Sequence, residues 1–180
     1  VNDHQTSAPV VTPERFVLRP WVDAAVGACG FPVASIYTEA VLLPILGPST
    51  VLCLRRLGSL AAVRPAGTEI DTAQLARDLG LGDSLGRHSQ VTKTLARLCG
   101  FGMARWASAE LEVRTAVAPV PERHLRRLSP ELVALHHCML RQAAGRGVGA
   151  ANSRRWAAER SALAPQASSG PVEPTESVSP

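Results

Sequence analysis

The 180 residues leave room for one domain of ordinary size and its tails. Apolar residues make up 46% of the chain and charged residues 19%, which excludes wholesale disorder. Aromatic residues are only 4%, so the core must be filled by Leu, Val and Ala, a composition that suits packed helices. The formal net charge of +4 draws polyanions in general. Lys93 is the single lysine among 19 basic residues, however. Arginine in place of lysine, with abundant Ala, Gly and Pro, is the mark of a GC-rich coding sequence, so the charge alone says little about function.

Residues 1–15 are polar and carry no signal-peptide pattern, so a disordered leader is expected. From Ala24 to Leu54 the chain is apolar with Glu39 its one charge. Gly27, Gly30, Pro32, Pro44, Gly47 and Pro48 interrupt that stretch, which argues against a membrane span and for a cytoplasmic protein. Residues 16–46 read as an N-terminal extension packing on the domain that follows, with a short helix from Ile36 to about Leu43. Trp21 and Tyr37 within it either cover the core or form a partner surface. Cys29, Cys53, Cys99 and Cys138 form no CxxC pair and sit among apolar neighbours, so buried free thiols are expected rather than a disulfide framework.

The clearest helix starts at Pro48-Ser49, with Ser49 as the expected N-cap, and runs to Val63. Its apolar positions Val51, Leu54, Leu57, Leu60 and Ala61 recur at helical spacing. Thr68 to Ile70 reads as a short strand. Asp71 caps a second helix from Thr72 to Leu79, and Gly80 ends it. A glycine-bearing connection leads to a third helix from Ser89 to Cys99, which buries Val91, Leu95 and Leu98 and projects Gln90, Lys93 and Arg97. Met103–Trp106 and Glu110–Thr115 form a strand pair, in which Leu111 and Val113 alternate with charged residues. Glu122 to Arg127 is a helical turn or two. Ser129-Pro130 starts another helix that ends near Ala143, within a C-terminal helical extension over 119–143. Residues 144–180 read as a flexible tail, with a loose helix over 151–164 and a disordered end.

The order helix, strand, helix, helix, hairpin over residues 47–118 resembles the winged helix-turn-helix superfamily. The phrase Val91-Thr92-Lys93-Thr94-Leu95-Ala96-Arg97-Leu98, running into Gly100-Phe101-Gly102-Met103-Ala104-Arg105, carries the likeness. It is similar to that superfamily's passage from recognition helix into wing. The resemblance implies a mainly α fold with a small antiparallel β-hairpin, and additional N- and C-terminal helices around the winged helix. It also implies a transcriptional regulator that binds double-stranded DNA, with the third helix in the major groove and the wing beside it. The contacts then implied are Arg87, His88, Ser89, Gln90, Lys93 and Arg97, with Arg105 and Arg114 of the hairpin, and Arg77, on phosphate. Residues 47–128 hold 12 basic and seven acidic residues, a net charge of +5. Winged helices also serve as protein-docking modules. The long connection from Gly80 to Arg87, and Glu110 and Glu112 in the wing, keep that alternative open.

Other constellations point away from chemistry. His136 and His137 are neighbours that diverge by about 100° on a helix and cannot easily share a metal, so neither they, His124 nor Cys138 is read as a ligand set. The chain has no GxSxG, P-loop, HExxH or dinucleotide fingerprint, so neither an enzyme nor a cofactor is expected. Leu132, Leu135, Met139 and Leu140 form an apolar stripe that packs either on the domain or on a second copy as a homodimer.

Overall fold

The computed structural model describes residues 12–24, 26 and 30–145. The expected leader falls largely outside these residues. So do Cys29, the helix expected over 151–164 and almost all of the expected tail.

About half of the structure is helical and 19% is strand. The strands are β1 (Arg15–Trp21), β2 (Phe31–Pro32), β3 (Thr68–Asp71), β4 (Ala104–Ala107), β5 (Glu110–Arg114) and β6 (Ala116–Val117). The helices are α1 (Ile36–Ala40), α2 (Leu43–Leu46), α3 (Pro48–Val63), α4 (Thr72–Asp78), α5 (Gln90–Gly100), α6 (Glu122–Leu125) and α7 (Pro130–Gly145). Four strands form one mixed sheet in the order β3-β1-β5-β4, and β2 pairs with β6 in a second small one. β1 lies antiparallel to β3, with Phe16 opposite Ile70, and parallel to β5, with Leu18 opposite Leu111.

This is an α/β fold. It replaces the expected mainly α architecture with a small antiparallel hairpin, the winged helix-turn-helix with added terminal helices. The element that overturns the expectation is β1. Phe16 and Leu18 are buried while Arg15 is exposed, the period of two that a strand with one covered face requires. β1 inserts itself between β3 and the β4–β5 hairpin, so those strands do not pair with each other directly.

Phe16, Leu18, Ala104, Leu111 and Val113 turn to the inner face of the sheet. There α3 brings Val51, Leu54, Leu57 and Ala61, α5 brings Val91, Leu95 and Leu98, and α4 adds Leu75 and Ala76. α3 starts one residue earlier than its expected cap. Gly47, at φ 81°, precedes Pro48 at N1, which places Ser49 inside the first turn. Asp71 caps α4 as expected, its carboxylate accepting from the Gln74 N–H at 2.8 Å.

The N- and C-terminal parts meet at Tyr37. Its ring stacks on Phe31 with centroids 3.8 Å apart. Its hydroxyl accepts from the Val120 N–H at 2.8 Å and lies 2.9 Å from His136 Nδ1, which fastens α7 to α1. Tyr37 is fully buried and belongs to the core. On α7, Val133, His136, Leu140 and Ala143 recur at helical spacing toward the core, together with Met139, while Leu132 and Leu135 remain half-exposed.

Candidate nucleic-acid interface

α5 carries the most strongly two-sided pattern of any helix described. Val91, Thr94, Leu95 and Leu98 face inward, and Gln90, Lys93, Ala96, Arg97 and Gly100 face outward. Its start is set by Ser89, whose hydroxyl accepts from the Thr92 N–H at 3.3 Å and donates to the Thr92 hydroxyl at 2.9 Å. Ser89 is 7% exposed, so its role is to cap the helix rather than to meet a ligand. Arg87 and His88, just before it, are exposed. From Ser84 to Ala109 the chain contains no Asp or Glu.

The expected contact residues divide into two groups. Arg87, His88, Gln90 and Lys93 stand in solvent, and among the described residues no side chain or carboxylate pairs with them. The others are engaged within the fold. Arg97 donates from Nε to the Leu46 carbonyl at 2.7 Å and from an Nη to the Ile45 carbonyl at 3.1 Å, so it closes the C-terminal end of α2. The same guanidinium lies 5.2 Å from the centre of the Phe101 ring.

Arg105 pairs with Glu112 at 2.6 Å, directly across the hairpin. Arg114 bonds the Gly102 carbonyl at 2.8 Å and the Asp23 carboxylate at 2.9 Å. Both of these guanidiniums lie over the Trp21 ring, at 4.4 and 4.0 Å from its centroid. Trp21 is therefore a half-exposed platform on the outer sheet face. Arg77, the further expected phosphate contact, donates to the Gln74 side chain at 2.9 Å.

Charge is sorted across the surface. The outer face of the sheet is a ladder of opposite charges, with Arg15 on Glu69, Arg19 on Glu110 at 2.6 Å and Arg105 on Glu112. The hydrogen bond and charge of Glu110 raise the pKa of the Arg19 guanidinium further. On the helical side Arg55 pairs with Glu39 and Arg56 with Asp78, the latter pair lining a cleft of about 490 Å³ beside Leu52 and Leu79. The basic residues without a carboxylate partner include Arg87, Lys93 and Arg97. Arg123, Arg126 and Arg127 in and after α6 belong to the same group, and sequence reasoning passed over them. The signal for them was the run His124-Leu125-Arg126-Arg127, in which one apolar residue interrupts three basic ones.

The remaining candidates have structural settings. Burial pushes the Cys53 thiol up to about 12, and it raises that of Cys99. Among the described residues no three His, Cys, Asp or Glu side chains converge to hold a metal ion, and no helix is long and apolar enough to cross a membrane. No family model matches the chain, and neither a curated protein nor a solved structure matches it.

Proposed function

We propose that the protein binds double-stranded DNA through the outward face of α5 and acts as a transcriptional regulator. One observation carries this reading. The outward face of α5, the most sharply two-sided of the described helices, has Gln90 and Lys93 unpartnered, is preceded by exposed Arg87 and His88, and lies in a stretch without a single carboxylate. The outward row alternates these polar groups with Ala96 and Gly100, small enough for close approach to base edges. Lys93 and Arg87 donate to guanine edges or phosphate, and Gln90 has the fork of donor and acceptor that matches adenine. The contact set is thus Arg87, His88, Gln90 and Lys93. Ser89, Arg97, Arg105 and Arg114 hold the surrounding structure in place.

Fluorescence anisotropy with labelled duplexes tests this. Affinity should fall steeply between about 50 and about 200 mM salt through counterion release. Arg87→Ala with Lys93→Ala should weaken binding well beyond twofold at unchanged melting temperature. Full-length protein that ignores duplex DNA at low salt would contradict the proposal.

A second reading, a docking module that does not touch DNA, is favoured by the hairpin. Its Arg105 is neutralised by Glu112, and Glu110 by Arg19, so the strand pair presents no net positive charge to a phosphate backbone. The anisotropy experiment separates the two.

A further inference from the structure

We propose that Arg123, Arg126 and Arg127, at the turn from α6 into α7, form a second phosphate-binding cluster. It grips the duplex backbone on the opposite side of the groove from Arg87. The inference rests on the reading of α5 as the DNA-contacting helix.

The two clusters are physically continuous. Lys93, Arg97 and Phe101 succeed one another four residues apart, on one ridge of α5 and its C-cap. The Arg97 guanidinium lies over the Phe101 ring, and the Phe101 ring lies 6.4 Å from that of His124 in α6. The strip therefore passes from α5 onto α6, where Glu122 is the one carboxylate beside the three arginines.

Among the described residues the arginines beyond that junction have no carboxylate partner, and Arg123 alone has a side-chain contact, from Nε to His124 Nε2 at 3.3 Å. Arg123, Arg126 and Arg127 are all exposed. Glu122 stands four residues before Arg126, a spacing at which helical ion pairs form, yet the two do not pair. The next carboxylate, Glu131, is capped by the Ser129 hydroxyl, which lowers its pKa and keeps it charged, and it makes no ion pair with the three arginines.

The backbone beneath these arginines is anchored. Leu125 is buried, and the Arg127 and Leu128 amides donate to His124 and Leu125 carbonyls at 3.1 and 2.9 Å. A cluster on such a base loses less freedom on binding than one on a loose tail.

Dimensions complete the case. An eleven-residue helix is about 16 Å long, enough to cross a major groove about 12 Å wide. Arg87 and His88 mark one end of α5, and the α6–α7 turn lies beyond the other. On the proposed docking, α5 lies in the groove and each group serves one of the two flanking backbones, with the Phe101–His124 contact joining the second group to the end of α5. Guanidinium suits this task, because its planar fork matches phosphate oxygens in pairs.

The test compares full-length wild type, Arg126→Gln/Arg127→Gln and Arg87→Gln/Lys93→Gln on three duplexes of unrelated sequence, by anisotropy across salt. Each phosphate contact contributes about 0.9 to the slope of log K against log salt. The Arg126→Gln/Arg127→Gln protein should therefore show a slope shallower by about 2, and lose affinity by the same factor on all three duplexes, because phosphate carries no sequence information. Arg126→Lys/Arg127→Lys should restore the slope, which excludes a folding defect.

If the Arg87→Gln/Lys93→Gln protein weakens while the Arg126→Gln/Arg127→Gln protein keeps wild-type slope and affinity, the second cluster is refuted and the α5 reading stands. If wild type shows no salt-dependent binding, both fall. A loss confined to one duplex would overturn the assignment to phosphate.

Discussion

Replacing Arg97 with alanine separates a structural arginine from a ligand-facing one on the same helix. Its guanidinium gives two hydrogen bonds to the Leu46 and Ile45 carbonyls and covers the Phe101 ring. A hydrogen bond from a charged donor is worth about 1.5–3 kcal/mol when buried. Arg97 is exposed enough for water to take over the carbonyls, so about 1 kcal/mol each is the better figure. Loss of an exposed cation–aromatic contact adds about 0.5 kcal/mol, and the better helix propensity of alanine returns a few tenths. The net cost is about 2 kcal/mol, a fall in Tm of roughly 6–10 °C for a body of this size. Lys93→Ala, one turn earlier and without an internal partner, should change stability by less than about 0.5 kcal/mol. Differential scanning fluorimetry on the two variants is sufficient. Equal Tm values, or a larger drop for Lys93→Ala, would refute the assignment of Arg97 as the clasp between α5 and α2. The same asymmetry makes Lys93 the better probe of ligand binding, because an affinity lost in Arg97→Ala would also report a displaced α2.

Gly58 lies in the middle of α3, where a Cβ would stand 2.7 Å from the Arg114 carbonyl oxygen and 2.7 Å from a Val33 methyl. Gly58→Ala gains about 1 kcal/mol of helix propensity but overpacks this contact by about 2–3 kcal/mol, so the urea midpoint should drop; a rise would show that α3 and β5 are not in contact there. His136 is 2% exposed, and its pKa is lowered, first by desolvation and then by His137, while Glu122 acts in the opposite sense. The unfolded chain, titrating near the ordinary 6.5, then binds more protons than the native state between the two values, so this contribution is complete above about pH 6.5 and is lost as pH falls through that window. Urea midpoints at high and low pH should show the decline in wild type, and a smaller one in His136→Phe. Cys53, buried and raised to about 12, should resist thiol reagents at pH 8 in native protein and react only on unfolding, as peptide mapping will show.

Much of the helical order was legible because its signals are local. Asp71 before Thr72, and Ser89 before Gln90, mark helix starts through side-chain caps that bond two or three residues ahead. The spacing of Val91, Leu95 and Leu98 identifies the buried side of α5, and with it the exposure of Gln90 and Lys93. The strand β1 was hidden for the opposite reason. Arg15-Phe16-Val17-Leu18-Arg19-Pro20-Trp21 alternates, but Pro20 reads as a breaker, and its partners lie far along the chain on β3 and β5.

The site divides along the same line. Nothing near Arg97 in the sequence announces acceptors at Ile45 and Leu46, about fifty positions earlier. The Arg105–Glu112 pair was closer to legible. A turn at Ser108-Ala109 places those two residues opposite each other, and cross-strand neighbours of opposite charge neutralise one another.

The insertion of β1 also governs the order in which the molecule can assemble. A ribosome has finished the first strand long before the parallel partner at 110–114 emerges, and loop closure over that span must precede any reward from pairing. Until then, β1 has β3 alone as a neighbour, with Phe16 opposite Ile70, and its second edge stays open. The four-stranded sheet is thus closed from its carboxy-terminal side, and α3 gains its full apolar floor only when β5 docks beside the waiting first strand.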